Sequence, residues 1–171
     1  MKGVAGRLLS VDLSAGSIRT EEIPEQLFRL FLGGWGLAAK IAWDRIPKGA
    51  NPLGPENVVT MAPGLLTGTG IPTASKTAFS FRSPLTGALC RSMAGAWIGV
   101  ALRKAGFDAL VIRGQSKEPL VLVIEDGKAQ LEPARDLWGL DTRATRKALQ
   151  ERYGEGIRTA VIGPAGEKLS W

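Results

Sequence analysis

Two stretches of the chain repeat one another, and that recurrence limits the architectures open to it. Val11-Asp-Leu-Ser-Ala-Gly16 is followed by Ile23-Pro24, by Trp35-Gly36-Leu37, by a helical stretch, by Val58-Val59 and by Pro63-Gly64. Later come Val123-Ile-Glu-Asp-Gly127, Glu132-Pro133, Trp138-Gly139-Leu140, another helical stretch, Val161-Ile162 and Pro164-Ala-Gly166. Trp35 recurs at Trp138 and Gly64 at Gly166 at a near-constant offset. Each copy reads as a hairpin, a helix and a returning strand. Two such halves, about 1–87 and 88–171, imply an α+β domain with pseudo-twofold symmetry. A cleft between them is the natural place for a ligand.

Turn signals and periodicity supply the elements. Arg7–Leu13 and Ser17–Ile23 flank the Asp12–Gly16 turn as paired strands. Pro24 opens a short helix, with Leu27, Leu30 and Phe31 on one face and Gly33-Gly34 at its end. A second helix covers Leu37–Arg45. Val58–Met61, Thr77–Arg82, Ala109–Arg113, Leu120–Ile124, Ala129–Leu131 and Thr159–Ile162 read as strands. Asp126-Gly127 marks a hairpin. Ala94–Ala105 reads as a helix closed by Gly106, and Thr142–Tyr153 as an amphipathic helix closed by Gly154. Trp35, Trp43 and Trp138 are expected in the core, with Cys90 as a small apolar filler.

Composition removes many chemistries. The 171 residues include one Cys and no His. Internal disulfides, Cys-rich zinc sites, a locally held iron–sulfur cluster, His-based triads and HExxH sites are therefore excluded. No carboxylates pair on one face, so no catalytic residue is assigned. The formal net charge is +6, with a pI near 9.8, which favours anionic partners. The charged helix carries Arg143, Arg146, Lys147, Glu151 and Arg152. It has no aromatic stacking platform, so it reads as a solvated face, and nucleic acid is not expected as a partner. No apolar run approaches the roughly 20 residues of a membrane span. The N-terminus reads as mature protein, and the expected location is the cytoplasm.

Two segments could hold an anion. Pro63–Thr77 follows a buried strand and is rich in Gly and Thr. Its turns can present backbone N–H groups, and Lys76, next to Ser75, adds a charge. It is not a P-loop: Ser75 stands where that pattern has Gly, Pro72 interrupts it, and Thr77–Arg82 alternates as a strand instead of opening a helix. The second segment, Ser92-Met93-Ala94-Gly95-Ala96, has small side chains except Met93. Before a helix it would offer free N–H groups to a phosphate.

These motifs occur together in one known family. Val11–Gly16, Leu32-Gly-Gly-Trp-Gly-Leu37, Asn51-Pro-Leu-Gly-Pro-Glu-Asn57, Gly64-Leu-Leu-Thr-Gly-Thr69, Ser83-Pro-Leu-Thr-Gly87, Gly106-Phe-Asp-Ala109 and Ile162-Gly-Pro-Ala-Gly-Glu167 stand in the order seen there. The chain resembles the N-terminal domain of the tungsten-containing aldehyde ferredoxin oxidoreductases over its whole length. The resemblance implies a twofold-repeated base for a tungsten (or molybdenum) bis-pterin cofactor. Enzymes of this family oxidise aldehydes to carboxylic acids and pass electrons through an iron–sulfur cluster to ferredoxin. The domain helps hold the pterin phosphates, partly through bridging magnesium. The matching positions are Ser75, Lys76, Ser92, Met93, Ala94, Gly95 and Ala96.

The pattern is not complete. Lys76 replaces an Arg, giving a point charge for a bidentate fork. Met93 replaces an Asn, and a thioether argues against the magnesium bridge. The chain also reads as C-terminally shortened at Trp171. The cluster cysteines and much of the substrate pocket belong to parts of the family's proteins beyond this domain. Inactivity of the chain alone is therefore expected, with the remaining domains as a possible separate partner chain. The competing expectation is a non-enzymatic assembly or scaffold module that kept the fold without the cofactor.

Overall fold

The computed structural model describes residues 3–168; Trp171, where the shortened end was expected, lies outside them. The N-terminal hairpin forms as the turn chemistry requires. Strands β1 (Arg7–Asp12) and β2 (Ser17–Glu22) pair from Arg7↔Glu22 to Asp12↔Ser17. Asp12 Oδ1 accepts the amides of Ser14 and Ala15, each at 3.0 Å, and Gly16 takes the positive φ of 61° that the turn needs.

Helix α1 (Glu25–Phe31) follows Pro24, and α2 (Gly34–Arg45) follows at once. Gly34 thus opens the second helix, where the sequence reading used it to end the first. The chain then enters β3 (Val58–Pro63), β4 (Thr77–Arg82) and β5 (Leu89–Ala94), helix α3 (Ile98–Lys104), and β6 (Ala109–Arg113). These strands form one six-stranded sheet in the order β2-β1-β6-β3-β4-β5. The β1–β6 pair is parallel and the other neighbours are antiparallel.

The sheet is covered on both faces, because alternate residues of its central strands are apolar. On one face Leu8, Val58, Ala62, Ala78 and Val111 pack with Phe28 of α1 and Leu37, Ala38, Ile41 and Ala42 of α2. Thr60 sits within that layer, where its hydroxyl donates to the carbonyl of Ala38 or Ser80, both 3.0 Å away. On the other face Leu9, Val11, Met61 and Leu110 pack with Leu102 of α3 and with Phe107. A separate two-stranded hairpin, β7 (Leu120–Glu125) with β8 (Lys128–Pro133), adds Leu122, Ile124 and Leu131 to this second layer.

A small third cluster of Ala134, Leu137 and Leu149 lies under α4 (Thr142–Tyr153). The Asp141 carboxylate caps α4, accepting from Arg143 N at 2.9 Å and Ala144 N at 2.8 Å. Asp141→Ala should lower stability by about 1 kcal/mol, read as a shifted urea midpoint at unchanged slope. As expected, Arg143, Arg146, Lys147, Glu151 and Arg152 of α4 face solvent, while Thr145 and Leu149 are buried.

The α+β expectation holds, with four departures in detail. Thr159–Ile162 is not a strand: it has no ladder partner among the described residues, and the chain passes instead to the short helix α5 (Pro164–Glu167). The division near residue 87 falls within the β4–β5 hairpin, and the large sheet continues to Arg113. The helix expected over Ala94–Ala105 starts only at Ile98, because β5 extends pairing with β4 as far as Ala94. Trp35, Trp43 and Trp138 are 44%, 74% and 53% exposed, so none is a core residue of this domain.

Candidate anion-binding edge of the sheet

The Gly/Thr-rich segment forms the loop between β3 and β4, and its base is tied to Lys76. The Lys76 carbonyl accepts from the Gly64 amide at 3.0 Å and from the buried Thr67 hydroxyl at 3.2 Å. Fixing the Lys76 backbone in this way leaves its side chain exposed. The loop turns through positive φ at Gly68 and Gly70, both 85°. The N-terminus of α2 presses on the same base. A Cβ at Gly33 would lie 2.9 Å from Leu65 N and 3.0 Å from Pro63 O, so only glycine permits this approach.

The hairpin register then joins the two candidate segments. The β4–β5 register ends at Thr77↔Ala94, so Lys76 and Gly95 are the next residues along the two chains. A Cβ built on Gly95 would be 3.9 Å from Lys76 Nζ and would meet nothing else that close. The space at Gly95 is thus open, with an ammonium at its side. Ala96 holds a positive φ of 61°, an uncommon conformation for a residue with a Cβ.

The candidate residues do not all share a face. Met93 pairs with Ala78 and stands on the α2 side. Ser92 pairs with Phe79, and Ala94 with Thr77; both stand on the α3 side. Ser92, Met93 and Ala94 belong to β5, an edge strand paired among the described residues only with β4, and not to a helix entrance. The candidate residues that the structure brings together are Lys76 and Gly95, ahead of the start of α3 at Ile98.

The sequence reading missed Arg91. Its guanidinium lies over the Trp35 ring, 5.2 Å from the centroid, on the same side of β5 as Met93. Nothing local could have revealed this, since the partners meet only through the placement of α2 on the sheet. A hollow of about 410 Å³ lies elsewhere, lined by Gly6, Glu21, Ile23 and Phe28 among others, and Lys76 takes no part in it.

A phosphate group suits this edge: the Lys76 ammonium is exposed, and no side chain fills the space at Gly95. A magnesium ion held by side-chain oxygens does not suit it. Met93 brings only sulfur, and the described residues contain no group of three or more His, Cys, Asp or Glu side chains placed to hold a metal.

The family model of the aldehyde ferredoxin oxidoreductase N-terminal domain matches residues 8–171. The chain belongs to that family. It is 39% identical over 170 residues to the tungsten-containing aldehyde ferredoxin oxidoreductase of Thermococcus kodakarensis, and 36% identical to that of Pyrococcus furiosus. Each match covers 99% of the chain and 28% of the relative, so the chain spans little more than a quarter of these relatives' length. It is also 31% identical over 156 residues to the WOR-like subunit of an aliphatic sulfonate oxidoreductase of P. furiosus. Among solved structures, the active-site complex BamBC of benzoyl coenzyme A reductase superposes with a TM-score of 0.93 at 36% identity, over 96% of this chain and 25% of that one. No helix among the described residues is long and apolar enough to cross a membrane.

Proposed function

We propose that this chain is the base on which the phosphate-bearing end of a tungsten or molybdenum bis-pterin cofactor rests, in an enzyme of the aldehyde:ferredoxin oxidoreductase type. The observation that carries the reading is the exposed Lys76 ammonium beside the open space at Gly95, in a chain whose relatives are tungsten-containing enzymes. Lys76 neutralises phosphate charge, and the loop bonds to its carbonyl hold it in place. When bound, the cofactor supplies the redox centre for converting aldehyde to carboxylic acid. Transfer of electrons to ferredoxin is assigned to the whole enzyme, with the iron–sulfur cluster on protein outside this chain.

The test is metal analysis and pterin fluorescence of natively purified protein from a host supplied with tungstate and molybdate, with and without the neighbouring proteins co-expressed. Tungsten or molybdenum accompanied by pterin is the expected result. Neither metal nor pterin in both preparations would overturn the reading. Met93 favours a second reading, an assembly or scaffold module that no longer holds the cofactor. That reading requires a stable partner chain in a pull-down from the same cofactor-free preparations.

A further inference from the structure

We infer that Arg91, braced by Trp35, is a second phosphate-gripping residue, and that with Lys76 it holds a pyrophosphate-like group without a bridging metal ion. The inference rests on the proposed cofactor role and adds a residue outside the motifs that suggested it.

Contacts link the two cations. Arg91 lies over the ring of Trp35, near the N-terminus of α2. The preceding residue, Gly34, packs on Gly64, where a Cβ would be 3.7 Å from the Gly64 Cα. Gly64 donates to the carbonyl of Lys76, and Lys76 Nζ lies beside Gly95. On β5, Arg91 and Met93 stand at alternate positions, opposite Ser80 and Ala78, so they share the face that α2 covers, and Gly95 follows directly after the strand.

Charge supports the same conclusion. Among the described residues, Lys76 and Arg91, like Arg143 and Arg146 on α4, have no carboxylate within 4.0 Å, whereas Arg29, Arg45, Arg103, Arg113, Arg135 and Arg152 each have one. Stacking leaves the edge N–H groups of a guanidinium free to bind an anion, and it limits the side-chain entropy lost on binding. Between the two cations Met93 is 40% exposed and contributes no oxygen. Two fixed positive charges then do what a cation bound by oxygen ligands would otherwise do. The N-terminal end of α2 adds partial positive charge on the same side.

The experiment is isothermal titration of the full chain with inorganic pyrophosphate, at low ionic strength in EDTA and then in magnesium chloride. The protein is prepared from cells grown without tungstate or molybdate. The variants are Arg91→Met, Lys76→Met and Trp35→Leu, each checked for an unchanged thermal midpoint. Pyrophosphate should bind the unmodified chain in EDTA. Arg91→Met and Lys76→Met should each weaken binding about tenfold, and Trp35→Leu about threefold. Equal affinity in Arg91→Met, with Lys76→Met still weakened, overturns the inference and leaves the cofactor reading standing. Binding that requires magnesium, or no binding by the unmodified chain, also overturns it. The cofactor reading is decided separately by the metal and pterin content.

Discussion

Gly99→Ala is expected to destabilise the domain by roughly 3 kcal/mol, at the upper end of the usual overpacking range. Propensity alone points the other way, since alanine in a helix is favoured over glycine by up to about 1 kcal/mol. Sterics decide the sign. A Cβ at Gly99 would sit 2.0 Å from Thr77 Oγ1, 3.2 Å from Pro63 Cβ and 3.3 Å from Thr77 Cβ. All three atoms belong to the sheet, so α3 must lift away from it. Thr77 offers an internal control, because its hydroxyl is buried and has no hydrogen-bond partner. Thr77→Val exchanges that hydroxyl for a methyl group and should be neutral or slightly stabilising. Thr77→Ala removes the colliding atom, and in combination with Gly99→Ala it should recover at least about 1 kcal/mol beyond additivity. Thr77→Val should give no such recovery. Urea unfolding of the single and double variants measures all of these values. Gly99→Ala within about 0.5 kcal/mol of the parent would contradict the packing described for α3.

Asp108→Ala is expected to have a comparable effect, about 3 kcal/mol. The Asp108 side chain is 2% exposed and serves two groups at once. One carboxylate oxygen accepts the Gly6 amide at 2.6 Å, and the other lies 3.2 Å from Arg103 Nη1. Alanine would leave the Gly6 N–H without its acceptor and the largely buried Arg103 guanidinium with the Gly3 carbonyl in place of a countercharge. Asn keeps one acceptor for Gly6 and loses only the ion pair, so Asp108→Asn should lose about half as much. In a chain of this size the alanine variant should melt roughly 10 °C lower, by calorimetry or circular dichroism. A fall of less than about 2 °C would mean that the cluster is not part of the stabilising core.

Both variants act on contacts made across the fold, which is where the sequence was hardest to read. Thr77–Arg82, Ala109–Arg113 and Thr142–Tyr153 match their expected bounds, because each has strong alternation or periodicity and clear ends. For α4, the Asp141 cap and Gly154 supply those ends. Strand β5 was missed since Leu-Cys-Arg-Ser-Met-Ala has neither marked alternation nor β-branched residues. Pairing with β4 imposes its conformation, and that pairing also shortens α3. Thr159–Ile162 errs in the opposite sense. It has strand-like residues, but a strand needs a neighbour, and none meets it among the described residues. The tryptophans show the same limit: apolar area argues for burial but does not say against what.

The site divides along the same line. The sequence singled out the Lys76 loop and the Gly95 segment separately, and the one-to-one register of a short hairpin brings them together. Arg91 stayed hidden because its partner, Trp35, lies on a helix far away in the chain. The opposed facings of Ser92 and Met93 likewise required knowing that this stretch is extended.

The central claim is that Lys76 beside Gly95 holds a phosphorylated pterin, and comparing pterin content in Lys76→Met with the unmodified chain tests it most directly. Both proteins are purified natively with the neighbouring proteins co-expressed, and fluorescence of the released pterin is normalised to protein. Because Lys76 is exposed, the variant should fold unchanged, with an unaltered thermal midpoint as the control. The unmodified chain should carry pterin, and the variant should lose most of it. Equal pterin content in both would contradict the claim.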